Sequence, residues 1–397
     1  MERMDRATLP YRFDDESRKI RITRPDLPGP WVNYLSNGSL HAFVSQAGGG
    51  CAWWRSPLNF RLTRYRGFSH PCDSPGFYCY VKEEGERAWN PTALPSANNL
   101  DQWECHHQPG VSTFLGQRND LRVAQCLFVD PDRDVLWNAV TLENQGSASR
   151  EIDLTSYYEL SLLEYLEELQ WGYYIRHMVN TDWDEKTETL TYLYHHQSHP
   201  ARNRIPLIFS GCDAGVTSYS GSRSSFLGPY RDERDPLGVE RNHCGNATIA
   251  CGDPCSALHI GLNLEPGEVR KVHFFLGVAR GALADYEACR SEHQWMVAEL
   301  RRPGACEQAL QNVSVWWDRH LGKFRCQLPE VDLQRQIETW TPVQCVHTGR
   351  ISRSLSPQAS GIRGTGFRDT AQDMLALAYR DPSWARQEFE RLLSFQF

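Results

Sequence analysis

The sequence predicts a large antiparallel β-sandwich followed by helices, and three observations carry that prediction. Short apolar runs of period two, separated by turn residues, recur from Tyr11 to about residue 280. At Gly281 the apolar period changes to 3.6. Near the end Gly361, Gly364 and Gly366 interrupt the helical pattern before it resumes. With 397 residues the chain is long enough for two or three domains and a sizeable core.

Taken in order, the alternation at 20–24 suits a short strand that Pro25 stops. Strands are expected at 41–46, 51–54 and 59–65, the first two joined across Gly48-Gly49-Gly50. Further runs lie at 77–82, 111–115, 121–129, 134–143 and 151–160. Leu121, Val123, Gln125 and Leu127 share one strand face, as do Val135, Trp137, Ala139 and Thr141. Residues 161–171 carry Leu162, Leu163, Tyr165, Leu166 and Leu169, an amphipathic helix between sheets. Strands resume at 187–195 and 205–210. The runs 255–264 and 269–279, around Glu265-Pro266-Gly267-Glu268, read as the best-marked hairpin of the chain.

Helices are expected over 282–300, 305–324, 329–348, 370–379 and 383–397. Arg302-Pro303-Gly304 separates the first two, Trp316 and Trp317 fall in the core, and Pro342 kinks the third. Asp381-Pro382-Ser383 supplies a stop and an N-cap. The expected units are a sandwich at 1–280, a helical linker at 281–304 and a helical domain at 305–397.

Composition excludes several function classes. The net charge is −7 with no basic run, which does not suit a nucleic-acid partner. No apolar stretch approaches the ~20 residues that span a bilayer, and the first 24 residues are charged rather than signal-like, so no membrane partner and a cytoplasmic setting are expected. Thirteen scattered cysteines read as free thiols, and His243-Cys244 with Cys251 and Cys255 lacks the paired spacing of a zinc site, so no metal is expected. Thirteen tryptophans, 16 tyrosines and 16 phenylalanines suit sugar stacking or a sandwich core. Glu104, His106 and His107 cluster beside Cys105, as structural groups or as the rim of an active site.

The richest stretch runs from Arg353 to Asp373, where three arginines and two aspartates are spaced by three glycines and then feed a helix. Glycines let backbone approach a ligand, and guanidinium forks and carboxylates supply directional hydrogen bonds. The same groups could also merely pin a loop. The run Gly361-x-Arg363-Gly364-x-Gly366-Phe367-Arg368-Asp369-Thr370-x-Gln372-Asp373 resembles the signature of the inverting disaccharide phosphorylases, the glycoside hydrolase family of cellobiose, cellodextrin and chitobiose phosphorylases. Ile22-Thr23-Arg24-Pro25-Asp26, Pro30-Trp31-x-Asn33-Tyr34-Leu35, Leu62-Thr63-Arg64-Tyr65-Arg66 and Phe226-Leu227-Gly228-Pro229-Tyr230-Arg231 are similar to the same family, so the resemblance extends far from the glycine loop.

The resemblance implies that Arg363 and Asp369 hold hydroxyls of the sugar beside the scissile bond, with Arg368 in the same substrate-binding set. It implies a phosphate contact from Arg353, in the context Arg353-Ser354-Leu355-Ser356. It further implies an (α/α)6 barrel after the sandwich, a homodimer, inorganic phosphate as co-substrate and no cofactor. Twelve helices with their connections need about 200 residues, and fewer than half that number follow Ala305, so only the beginning of an incomplete barrel is expected. The family's general acid is then expected beyond Phe397, and no catalytic residue is assigned. Three functions follow: the N-terminal half of a β-glucoside phosphorylase acting on a sugar such as cellobiose, a module of a glucan-cyclising transglycosylase, or a non-catalytic carbohydrate-binding or interaction protein.

Overall fold

A computed structural model describes residues 9–66, 73–96, 99–162, 164–175, 178–194, 206–281, 285–351 and 366–395. The largest sheet has ten strands in the order β1 (Tyr11–Asp14), β2 (Lys19–Ile22), β7 (Gln102–Gln108), β8 (Val111–Arg118), β9 (Leu121–Val129), β10 (Val135–Asn144), β17 (Val269–Ala279), β14 (Leu207–Cys212), β13 (Thr189–Tyr194) and β12 (Val179–Asp184). A four-stranded sheet runs β15 (Ser218–Ser222), β16 (Pro254–Leu264), β11 (Arg150–Glu159), β6 (Tyr78–Glu83). A three-stranded sheet runs β3 (Val32–Ser36), β4 (Leu40–Ser45), β5 (Gly50–Trp54). Leu35, Ala42, Val44, Val81, Leu154 and Ile260 of the smaller sheets meet Val123, Leu127, Leu136, Val140 and Leu276 of the large one in the main core. The antiparallel sandwich is therefore as expected.

Two strand expectations are corrected. The runs 255–264 and 269–279 do form strands, but they are not a hairpin. β16 pairs with β11 and β15, whereas β17 pairs with β10 and β14 in the opposite sheet. The chain crosses between sheets at the turn, as it also does between β10 and β11, so two arches stack. Asn144, fully buried, staples them. Its Nδ2 donates to Leu264 O and Ala148 O, its N–H to Glu268 O, and its carbonyl accepts from Gly267 N–H. Strand periodicity cannot distinguish an arch from a hairpin, because both place two apolar strands around one turn.

The second correction concerns 59–65, which belongs to no ladder. Leu62 N–H bonds to Ala52 O of the three-stranded sheet, while Arg64 N–H bonds to Glu159 O of the four-stranded one. A segment bridging two sheets cannot continue in either. The strands β1, β3, β7, β12 and β15 had not been expected from the sequence.

Helices follow β17: α4 (Tyr286–Leu300), α5 (Ala305–Leu321), α6 (Val331–Arg335), α7 (Thr341–Ile351), α8 (Phe367–Leu375) and α9 (Pro382–Leu393). Before them come α1 (Tyr165–Ile175), α2 (Arg223–Leu227) and α3 (Leu237–Glu240). The expected helix at 329–348 divides into α6, a π-helical turn at Gln336–Trp340, and α7. Pro342 lacks an N–H, and the helical hydrogen bonding is irregular in the turn just before it. Asp381 caps α9 by accepting from Trp384 N–H at 3.1 Å, as the sequence indicated.

The outer face of the large sheet places the helices. Phe128, Val135, Trp137, Phe209 and Phe275 point away from the sandwich core and are covered by Met296, Val297 and Leu300 of α4 and Val313, Trp317 and Leu321 of α5. Val343, Val346, Met374 and Leu377 extend this second core into α7 and the α8 segment.

Asn144→Ala removes the two Nδ2 bonds, along with those its Oδ1 accepts from Gly146 N–H and Arg150 Nε, and takes a donor from the buried Leu264 carbonyl. Its expected cost is about 2–4 kcal/mol in urea unfolding. A loss below about 0.5 kcal/mol would show that the arches hold without this staple.

Candidate functional site

The glycine loop departs from the end of α7, and its far end opens α8. Gly349 lets α7 close on its neighbours: a Cβ there would stand 2.9 Å from Leu377 Cδ1 and 3.0 Å from the Trp384 ring. Gly366 is the N-cap of α8, and Asp369 lies in the first turn, where a carboxylate complements the helix dipole. The carboxylate turns back toward the cap, since a Cβ on Gly366 would lie 3.2 Å from Asp369 Oδ2. Arg368 is exposed and Asp369 is half-buried. As helix neighbours they point in different directions rather than toward one another. Arg353 and Arg363 lie outside the described residues.

The surroundings of this junction are cationic and aromatic. Arg350, in the last turn of α7, donates from Nη1 to Ser36 O of β3 at 2.5 Å, with its guanidinium 4.5 Å from the centre of the Trp316 ring. Burial pushes it down to about 10 against the pull of Asp381. His347, one turn earlier, packs near Tyr34 and Trp317, and both of its buried ring nitrogens lack a partner among the described residues. Burial holds His347 down at about 3, and the Arg350 and His41 charges act in the same direction. His41 stacks on Trp53, shares a 2.9 Å hydrogen bond with Ser36 Oγ, and is held at about 3 by burial and Arg350. Arg380, buried after α8, faces the rings of Phe324 and Tyr379. Such a field favours an anion beside the loop.

Sequence reasoning did not single out Arg350, His347 or His41. The one local signal was Arg350 itself, three residues ahead of Arg353. It did single out the Glu104–His107 cluster, which the structure accounts for locally. Cys105 is buried, and His107 bonds to Ser112 Oγ at 2.9 Å and Trp31 O at 3.1 Å. His106 pairs with Glu104 at 2.6 Å. Cys244 and Cys255 are buried thiols, both pushed up by burial.

Elsewhere in the sandwich a buried ion network fixes the segment that bridges the two smaller sheets. Glu159, with no exposed side-chain surface, accepts from Arg64 at 2.7 Å and Arg66 at 2.6 Å and lies 3.0 Å from Arg223. Burial pushes its carboxyl up, but Arg64, Arg66 and Arg223 outweigh this and hold it at about 2. Glu168 of α1 binds Arg61 at 2.8 Å and also pairs with Arg64. The arginines of the Leu62–Arg66 run are thereby committed to the scaffold.

Two profiles of one family match the chain in order. "Glycosyl hydrolase 94, supersandwich domain" covers residues 16–296, and "Glycosyl hydrolase 94 superfamily, catalytic domain" covers residues 316–397. An N,N'-diacetylchitobiose phosphorylase of Vibrio furnissii is 30% identical over 392 residues, covering 97% of this chain and 46% of that protein. A solabiose phosphorylase of Paenibacillus borealis is 25% identical, with 97% and 48% covered. A cyclic beta-(1,2)-glucan synthase of Rhizobium meliloti is 27% identical, with 93% and 12% covered. The chain thus spans about half the length of the phosphorylases it matches. Among solved structures, one assigned as a kojibiose phosphorylase from human microbiome superposes with a TM-score of 0.60 at 11% identity, covering 96% of this chain and 48% of that one, a likeness of fold.

The depressed imidazoles predict acid sensitivity. His41 and His347, at about 3 in the folded chain, titrate near 6.5 when unfolded. The unfolded state therefore binds more protons, and stability that is complete above about pH 6.5 is lost as the pH falls toward 4. Each group withdraws up to about 1.4 kcal/mol per pH unit in that window. Melting curves from pH 7.5 to 4.5 should show a Tm that is flat and then falls. A Tm constant down to pH 4.5 would mean that these imidazoles are protonated without disrupting the fold.

Proposed function

The chain belongs to glycosyl hydrolase family 94, and from that premise we propose that it supplies the sandwich and the first barrel helices of an inverting carbohydrate phosphorylase. The reaction is cleavage of a β-linked disaccharide such as cellobiose or chitobiose by inorganic phosphate, giving a sugar 1-phosphate. The observation that carries the reading is the ordered match of both family profiles across the chain, the second spanning the glycine loop and α8.

In this reading Arg363, Arg368 and Asp369 bind the sugar whose anomeric carbon reacts, and Arg353 contributes to the phosphate site. Phosphate is already an anion, so it requires cationic and hydroxyl clamps rather than a general base. The cationic surroundings of Arg350 and Arg380 are consistent with that demand. A carboxylic acid must protonate the departing glycosidic oxygen on the opposite side from phosphate attack, as in inverting hydrolysis. We place that acid on a segment following Phe397 and assign no catalytic residue within the chain. The reading includes units at 1–280, 281–304 and 305–397, a homodimer, and no cofactor besides phosphate as co-substrate. A cytoplasmic setting suits the twelve described cysteines, all of them free thiols.

The similarity to a cyclic beta-(1,2)-glucan synthase favours a second reading, a module of a transglycosylating protein. Phosphate dependence separates the two. In a protein carrying the remaining barrel, β-linked disaccharide should be consumed only with phosphate, with stoichiometric sugar 1-phosphate. Phosphate-independent transfer between sugars would favour the synthase. Asp369→Asn and Arg363→Ala should each lower kcat/KM for the disaccharide about ten- to a hundred-fold, the loss of a charge-assisted hydrogen bond. Arg353→Ala should instead raise the KM for phosphate. Near-normal kinetics of a folded Asp369→Asn protein would remove the sugar-site assignment.

A further inference from the structure

We propose that the seam between sandwich and helices contains a binding site for a small inorganic anion, held on Arg350. A cavity of about 60 Å³ lies there, and its walls include Ser36, Asn37, Gly110, Trp316, Trp317 and Arg350. By the measure in which one water needs about 10–15 Å³, it admits a halide or a compact oxyanion but no sugar ring.

The donor set fits an anion. A guanidinium offers five N–H groups, and among the described residues Arg350 places one nitrogen on a protein acceptor, Ser36 O. Its other recorded contacts are the faces of Trp316 and Trp384, at 4.5 and 5.8 Å. No carboxylate among the described residues forms an ion pair with it. Trp317 brings its indole Nε1 to the cavity wall: a Cβ on Gly110, itself at φ +73°, would stand 2.4 Å from that atom. This indole N–H has no hydrogen-bond partner among the described residues.

The surrounding groups do not supply the missing negative charge. His41 on β4, His347 on α7 and His320 on α5 stand close enough to Arg350 for its charge to lower each imidazole. Among the described residues, Asp381 is the one acid acting on Arg350. Water in the cavity would satisfy N–H groups without balancing the charge, and a half-buried guanidinium with no carboxylate partner is less stable than a paired one. A bound anion does both. It would also join the β3–β4 turn, α5 and the last turn of α7 at one point, beside the start of the glycine loop. Arg350 would hold an anion there whether or not the protein carries out phosphorolysis.

The test uses this chain with chloride, phosphate or gluconate added at constant ionic strength, read by tryptophan fluorescence and thermal melting. A saturable fluorescence change and a rise in Tm are expected with chloride or phosphate, and neither with gluconate, which is too large for the cavity. Whichever of the two acts at lower concentration identifies the site as halide- or oxyanion-selective. Arg350→Met should weaken the apparent affinity about tenfold or more, and Arg350→Lys should retain part of it. An equal response to all three salts, or an unchanged saturable response in Arg350→Met, overturns the proposal. If the Met variant does not fold, NMR line broadening of chloride and, separately, of phosphate on the unsubstituted chain decides. Broadening of either that an excess of the other anion reverses supports the site, and absence of broadening for both refutes it.

Discussion

The centre of the ten-stranded sheet is apolar on both faces, and this constraint organises the molecule. Along β10, Leu136, Val140 and Leu142 enter the sandwich core while Val135 and Trp137 point the other way. A sheet covered on one side would leave the outer rings of Trp137, Phe209 and Phe275 in water. At about 25 cal/mol per Å² of apolar surface, rings of this size make covering them a major contribution to stability. The smaller sheets cover one face and α4 and α5 cover the other. Beyond α5, α7 packs against β3, α8 against α7 and α9 against α8, so the end of α7 that precedes the glycine loop sits at the seam between the two cores.

Two kinds of cation are drawn in from solvent, one between the smaller sheets and one at that seam. Arg64, Arg66 and Arg223 converge on the fully buried Glu159, with Glu168, Glu233 and Asp253 also paired to them, so each cation has carboxylate partners and the segment between the two smaller sheets is held in place. Arg350 is treated differently, with a carbonyl and two indole faces but no carboxylate partner among the described residues. Balanced ions of the first kind specify geometry and contribute little net stability. An unbalanced cation of the second kind costs stability unless an anion accompanies it, which is the role proposed for the cavity beside Arg350.

The separation of roles along the chain follows from this packing. The sandwich carries the arches, the Glu159 network and the turn that receives Arg350, while the helical part carries Asp369 at the start of α8. Gly349 is the point of closest approach, since any side chain there would push α7 off Leu377 and Trp384. The candidate sugar-binding residues therefore depend on a scaffold of strands distant from them in sequence.

The sequence by itself determined the period-two strands, the change to helices at Gly281, the Asp381 cap and the family-like glycine run, because each rests on residues within a few positions of one another. It placed β9 and β17 with their observed bounds and assigned Trp317 to a core. Arg363, Arg368, Asp369 and Arg353 were legible only as a motif. Which side chains surround them was not, since Ser36, His41 and Trp316 lie far off along the chain. Tertiary structure alone decided that β16 and β17 enter different sheets, that 59–65 bridges two sheets instead of joining one, and that Arg350 reaches β3. Each of these depends on which distant backbone groups and apolar faces remain to be satisfied once the rest of the chain has packed, and local periodicity carries no information about that.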